Sequence, residues 1–509
     1  MSTDLHDAPI QAAPKLPAPV AGLIGVLSLV AALAAGHVVA AFVGFNASPY
    51  LAVGNAAIDL TPTWLKNFAV SAFGTADKTV LLSGMAVVMI VLAIVAGLIS
   101  RQRPLPGQLL IGAFGVVGIV AVYFRPDLGQ AALFAPAMSL LTGVTVFRIL
   151  HKVALRGDTS ASRRSFLITA AGAAVVGVIG QWVGTRKDAG SSRAAVGPLV
   201  PAEPAPAVPA GADFAKFGTP TFITPNSDFY RIDTALVVPQ VRTEDWSLRI
   251  HGMVDKEITY SYDDIRNRPL VERIITLCCV SNPVGGQYIS TARFIGVDLA
   301  GLLNEAGVRP GAEQLFSTSS DGFSAGTPVS TVLENGRGAM LAIGMNGEPL
   351  PIEHGFPARL VVPGLYGYVS ATKWVTDLEL TTWDAKQAYW LQRGWSEQGP
   401  VKTESRIDLA NGGVAPGKVR VAGIAFAQHT GISRVEVRVD SGPWQDAMLS
   451  TEVNIDSWRM WWAQLDASKG SHTVTVRATD KSGYTQTDQI ADVVPDGATG
   501  WQTITFSAN

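Results

Sequence analysis

Ile274-Ile275-Thr276-Leu277-Cys278-Cys279-Val280-Ser281-Asn282-Pro283-Val284-Gly285-Gly286 holds the only two cysteines of a 509-residue chain. The apolar, β-branched run of Ile274, Ile275 and Leu277 predicts a buried strand, and the Ser, Asn, Pro and Gly residues after it predict a turn. The thiols therefore arrive at the end of a strand, facing a loop. Two adjacent cysteines in so long a chain are no disulfide framework, and closing them on each other would strain the backbone. Free cysteine is also a common packing residue, so the surroundings decide what this pair does.

Working outward, formal net charge is -2, which gives no global basic footprint for nucleic acid. Hydrophobic residues make up 48%, charged residues 16%, and mean hydropathy is +0.26. That balance is too apolar for a purely soluble protein and too mild for a wholly embedded one. Its distribution explains it, because nearly all long apolar runs lie before residue 185. A membrane half precedes a soluble half.

Five runs (20–45, 79–100, 105–124, 131–150 and 165–183) predict transmembrane helices, each near the ~20 residues that cross a bilayer core. The weaker stretch 51–73, interrupted by Asp59, Pro62 and Lys66, reads as an interfacial loop. Arg101 and Arg103 flank one connection, and Arg148, Lys152, Arg156, Arg163 and Arg164 crowd another. By the positive-inside rule those face the cytoplasm, which puts the N-terminus inside and everything after Val183 outside, on the periplasmic or extracellular side. Ser162-Arg163-Arg164-Ser165-Phe166-Leu167 resembles a twin-arginine export signal, expected to stay as an anchor because no Ala-x-Ala site follows at once. No haem is expected, since the two histidines available, His37 and His151, lie at different depths and cannot face one iron.

Residues 188–218 are rich in Pro and Ala and read as a semi-rigid spacer. Strands and helical patches then alternate from 219 to 407, and from 408 to 509 alternating strands with polar turns predict an all-β sandwich.

Within 219–407, Thr276-Leu277-Cys278-Cys279-Val280-Ser281-Asn282 resembles the cysteine signature of the sulfite oxidase family of molybdopterin enzymes, with Cys279 in the register of the molybdenum ligand. Further segments resemble the family in the same order. They are Arg293-Phe294-Ile295-Gly296-Val297, Ser320-Asp321-Gly322-Phe323, Met345-Asn346-Gly347-Glu348-Pro349-Leu350-Pro351, His354-Gly355-Phe356-Pro357-Ala358-Arg359, Val362-Pro363-Gly364 and Thr372-Lys373-Trp374. The resemblance implies an α+β domain binding the molybdenum-molybdopterin cofactor, with Cys279 as catalytic metal ligand and Asn226, Asp321, His354, Arg359 and Lys373 around the cofactor. The residue types suit this. A thiolate completes a soft-ligand set, and an arginine fork and a lysine suit a phosphate. By the same resemblance, 408–509 is similar to the family's immunoglobulin-like dimerisation domain, which implies a homodimer.

Two departures bear on substrate. Sulfite-oxidising members carry a tyrosine where this chain has Ile343, and Arg-Asn-His where it has Pro225-Asn226-Ser227. Asn226 through Tyr230 looks more like the branch that reduces methionine sulfoxide. The expectation is therefore an anchored, outward-facing enzyme of two-electron oxygen-atom transfer on an S-oxide or N-oxide. With no haem domain or Cys-x-x-Cys-His in the chain, electrons come from a separate partner or the quinone pool. A sulfite-type dehydrogenase with a rebuilt pocket and a non-catalytic surface scaffold are the alternatives.

Overall fold

Four helices carry the N-terminal apolar runs in a computed structural model of the chain that describes residues 15–62, 77–125, 128–155, 188–410 and 417–508, with a few single positions besides. They belong to α1 (Ala18–Val43), α3 (Asp77–Ile99), α4 (Leu105–Tyr123) and α5 (Phe134–Leu155), and all four are long and apolar enough to cross a membrane. Nearly all of the expected fifth span, and the whole twin-arginine segment, lie outside the described residues.

The stretch read as an interfacial loop differs. Residues Pro49–Leu60 form a helix, α2, with Pro49 in its first turn and Leu51, Ala52 and Gly54 buried. It stops where Thr61, extended as a residue before proline must be, meets Pro62. Elsewhere in this unit small residues set the packing. A Cβ at Gly25 of α1 would stand 1.8 Å from the Ala93 carbonyl oxygen of α3, and one at Gly97 would stand 1.9 Å from that of Ala21. Only glycine lets the two backbones approach so closely.

Residues 188–509 form a separate compact unit. Its first sheet contains β1 (Ser247–Gly252), β2 (Ile258–Ser261), β5 (Gln314–Ser319), β6 (Ser324–Pro328) and β10 (Val375–Thr381) in the order β2-β1-β10-β5-β6. The β1–β10 pair is parallel and the other neighbours are antiparallel. The second sheet runs β3 (Val271–Cys278), β4 (Ile289–Asp298), β7 (Met340–Met345), β8 (Glu348–Pro349), with β9 (Arg359–Val361) also pairing with β7. One continuous apolar core serves both sheets and short helices such as Leu299–Ala306.

The chain ends in two antiparallel four-stranded sheets packed around a core that includes Val421, Val437, Trp461, Leu465, Val476 and Phe506. One sheet is formed by β11 (Glu404–Ala410), β12 (Gly417–Phe426), β16 (Arg459–Ala467) and β15 (Met448–Leu449) in that order. The other is formed by β14 (Gln445–Asp446), β13 (Ile432–Val439), β17 (Gly470–Asp480) and β18 (Gln502–Ala508).

Residues 188–218, expected to form a semi-rigid spacer, are bound to this unit. Asp188 caps the helix Ala189–Val196, and Arg193 donates to the carbonyls of Leu350 and Pro349 at 2.8 and 2.7 Å. Val196, Leu199 and Phe214 bury into the core. Apolar side chains interspersed among the prolines give the segment something to bury, which a pure Pro/Ala spacer lacks.

Candidate active site around Cys279

The edge strand β3 delivers the cysteines, pairing with β4 down to Cys278 opposite Ile289. Beyond it the chain turns, with the Cys279 N–H donating to the Tyr288 carbonyl at 2.9 Å and the Asn282 N–H donating to the Cys279 carbonyl at 3.0 Å. Both cysteines are free thiols. Cys278 is sealed in the core, whereas Cys279, 8% exposed, opens onto a cavity of about 120 Å³. Burial pushes the Cys279 thiol up, but donors from the Ser281 N–H and hydroxyl and the charge of Lys373 oppose that shift.

Five of the six expected site residues line this one cavity: Cys279, Asp321, His354, Arg359 and Lys373. Arg359 opens β9 and is buried. Its guanidinium donates to the carbonyls of His354 (3.2 Å) and Ala371 (3.3 Å), and no carboxylate pairs with it among the described residues. Burial pulls its pKa down to about 10. Lys373 is also buried, donating to Asp233 Oδ2 at 2.8 Å and to the Glu353 carbonyl at 3.2 Å, and burial pulls it down to about 8 against the pull of Asp233. Trp374 follows it at φ 49, a left-handed backbone that costs a bulky residue energy and tends to collect at functional sites.

His354 is held neutral. Burial first, then the charges of Arg359 and Lys373, pull it down to about 4. Its Nε2–H donates to the Asn226 carbonyl at 3.2 Å, and its ring stands edge-on to Phe229. Asp321 sits at the rim in a tight turn, accepting from the Phe323 N–H at 3.2 Å. Asn226 is the exception. Its side chain turns away to Glu348 (2.6 Å) and Asn346 (2.8 Å), so it meets the site only through its carbonyl on His354.

The structure adds residues that the sequence did not single out. Tyr230 lines the cavity, its phenol pushed well up by burial and by the two cysteines. Asp233 holds both Lys373 and Arg231. Tyr368, Trp390, Trp395 and Phe323 form aromatic walls, with Trp390 and Trp395 edge to face at 5.9 Å. The aromatic density of Tyr389-Trp390 and Trp395 in an otherwise polar stretch was the available signal. Ile343, by contrast, is fully buried in β7 and does not line the cavity, whose phenols are those of Tyr230 and Tyr368.

The donor set fits a molybdopterin. A thiol capable of ligating a soft metal opens onto the same cavity as a buried guanidinium without a counter-ion and a lysine. An anionic cofactor would supply the charge that Arg359 lacks.

The comparisons agree with that chemistry. A family profile described as "Oxidoreductase molybdopterin binding domain" matches residues 235–390. Over 330 residues the chain is 28% identical to mitochondrial sulfite oxidase of Macaca fascicularis, covering 54% of this chain and 59% of that one. Over 192 residues it is 34% identical to the NADPH nitrate reductase of Emericella nidulans, covering 33% of this chain and 22% of that one. Among solved structures it is similar to the sulfane dehydrogenase SoxCD of Paracoccus pantotrophus, at TM-score 0.49 and 22% identity, covering 60% of this chain and 88% of that one. The chain thus spans well under two thirds of the first of these relatives. These matches support a molybdopterin oxidoreductase of the sulfite oxidase family.

Proposed function

We propose that this chain is a membrane-anchored, outward-facing oxidoreductase that carries out two-electron oxygen-atom transfer and reduces a neutral S-oxide or N-oxide. The observation that carries the reading is the convergence of the Cys279 thiol, the unpaired Arg359 guanidinium and Lys373 on one cavity. When bound, the molybdenum cofactor supplies oxygen-atom exchange coupled to a two-electron change at the metal. Cys279 would ligate the metal as a thiolate, held by the two donors of Ser281. Arg359 and Lys373 would anchor the pterin and its phosphate, with Asp233 fixing the lysine head. Neutral His354 ties the Asn226 loop against this floor.

The substrate side rests on the walls. Tyr368, Trp390, Trp395 and Phe323 present flat apolar faces, while both buried cations would be committed to the cofactor. Such walls favour neutral alkyl or aryl substituents over a free oxyanion such as sulfite. Reduction of an S-oxide takes two electrons and two protons and releases a sulfide and water. The electrons come from a separate donor or the membrane quinol pool. The C-terminal sandwich is read as an immunoglobulin-like, dimerisation-type domain.

The test uses the full chain purified in mild detergent. Molybdenum near one per chain in the wild type, lost in Cys279→Ser without loss of fold, is the expected result. A folded chain free of molybdenum, from cells competent to make the cofactor, overturns the enzyme reading. With the metal present, reduced viologen should be oxidised by methionine sulfoxide or trimethylamine N-oxide. Turnover of sulfite with both oxides inert would replace the substrate assignment.

A further inference from the structure

We propose that the C-terminal sandwich completes the cysteine site, with Glu404 acting as the residue that positions Cys279. This rests on the reading of Cys279 as metal ligand. Strand β11 opens the sandwich, and two of its residues on one face, Glu404 and Arg406, reach the loop that carries Cys279. Glu404 Oε1 accepts from the Cys278 thiol at 3.4 Å, and the same carboxylate lies beside the Asn282 side chain, which helps hold its charge. Arg406 Nη1 donates to the Gly286 carbonyl at 2.9 Å, its fork held by Asp408 at 2.6 Å. One strand of the sandwich thereby grips positions 278 and 286, with Cys279 between them.

The loop's own bonds make this grip consequential. Asn282 Oδ1 accepts from the Tyr288 N–H at 2.9 Å, and the Tyr288 carbonyl accepts from the Cys279 N–H. Removing the Glu404 carboxylate therefore frees the thiol of Cys278, the residue bonded directly to Cys279, and takes a charged neighbour from the Asn282 that braces the same turn. The last strand closes on the same loop. Gly285 sits at φ +76, and a Cβ there would lie 2.3 Å from Gln502 Nε2, while Gln502 Oε1 accepts from the Ile407 N–H. A carboxyl pushed up to about 7 by burial is a costly group for mere packing, which supports a role in positioning.

A packing role predicts something different, and the structure supplies the control. Asn454 Nδ2 donates to the Ile274 carbonyl at 3.0 Å, another tie from the sandwich to β3 that lies away from the cysteine turn. The full chain is compared as wild type, Glu404→Ala, Glu404→Gln and Asn454→Ala. One readout is the rate of iodoacetamide alkylation at Cys279 in cofactor-free protein, localised by tandem mass spectrometry. The other is the sulfur-to-molybdenum charge-transfer absorption of the loaded protein.

Glu404→Ala should speed alkylation about fivefold to tenfold, the population change expected from losing one ordinary hydrogen bond, and should shift the absorption band. Glu404→Gln keeps an acceptor for the Cys278 thiol and should return both readouts toward wild type. Asn454→Ala should lower the melting temperature and move neither. Wild-type readouts in Glu404→Ala, or an equal shift in Asn454→Ala, would overturn the proposal. Should the alanine variant not fold, Glu404→Met, similar in length but without an acceptor, takes its place. A wild type without molybdenum would defeat the ligand reading alone, because the alkylation comparison would still stand.

Discussion

His354 shows at the scale of one residue how the site's charges are arranged. Its ring is 3% exposed and faces two buried cations, so it stays neutral until the pH falls to about 4. An unfolded histidine takes up its proton near 6.5. Between those values the unfolded chain binds more protons than the folded one, so the contribution of neutral His354 to stability is lost as pH falls from about 6.5 to about 4. The full effect is roughly 3 kcal/mol. His354→Gln removes this titration, so the gap between wild-type and variant stability should shrink on acidification. Thermal unfolding of both at pH 7 and 4.5 checks it, and parallel losses would defeat the assignment. Much of the residue-level site was legible in the sequence, because ordered motifs carried Cys279, Asp321, His354, Arg359 and Lys373 to one cavity. Asp233 was not, since an isolated acidic residue gives no sign of the lysine 140 positions away that it holds. Nor could a motif show that the Asn226 amide turns toward Glu348.

At the scale of the element, β3 is an edge strand, and an uncovered edge would invite mispairing. The loop before β16 covers it. The Thr276 N–H donates to the Asp456 carbonyl at 2.9 Å, and the Trp458 N–H donates to the Thr276 hydroxyl at 2.8 Å. Trp458 itself is 3% exposed and donates from its indole to the Phe222 carbonyl at 3.0 Å. Trp458→Ala should therefore cost about 3–5 kcal/mol of stability, measured by thermal unfolding, and a loss below ~1 kcal/mol would show that the cover contributes little. The sequence announced β3 through its β-branched run, but the cover comes from a segment about 180 residues later, beyond any local pattern. The same limit applies to Pro49–Leu60, where Asp59, Lys66 and Pro62 suggested a loop although the charges and proline fall at or past the helix end. It also applies to residues 188–218, whose prolines masked the few apolar side chains that bind them to the core.

At the scale of the whole molecule, the chain divides at residues 187 and 188 into two units of opposite surface chemistry. The first presents long exposed apolar side chains along its helices, among them Val87, Val91, Leu109, Val116 and Leu141. Water would not tolerate such faces, whereas hydrocarbon matches them. The second unit holds its apolar residues inside two cores and, apart from buried pairs such as Lys373–Asp233, carries ion pairs at the surface. This asymmetry predicts how the chain fractionates. Peripheral attachment is electrostatic and is undone by alkaline carbonate, but four apolar helices of 19 to 26 residues are held by the hydrophobic effect, which carbonate leaves intact. The full chain should therefore stay in the membrane pellet after carbonate washing, and a chain beginning at Asp188 should be recovered in the supernatant as a folded protein. Release of the full chain would mean that the helices bury their apolar faces against protein rather than lipid. Retention of the shortened chain would mean that the second unit carries a membrane-binding surface of its own, and the anchoring part of the proposed function would then have to move from the helices to that surface.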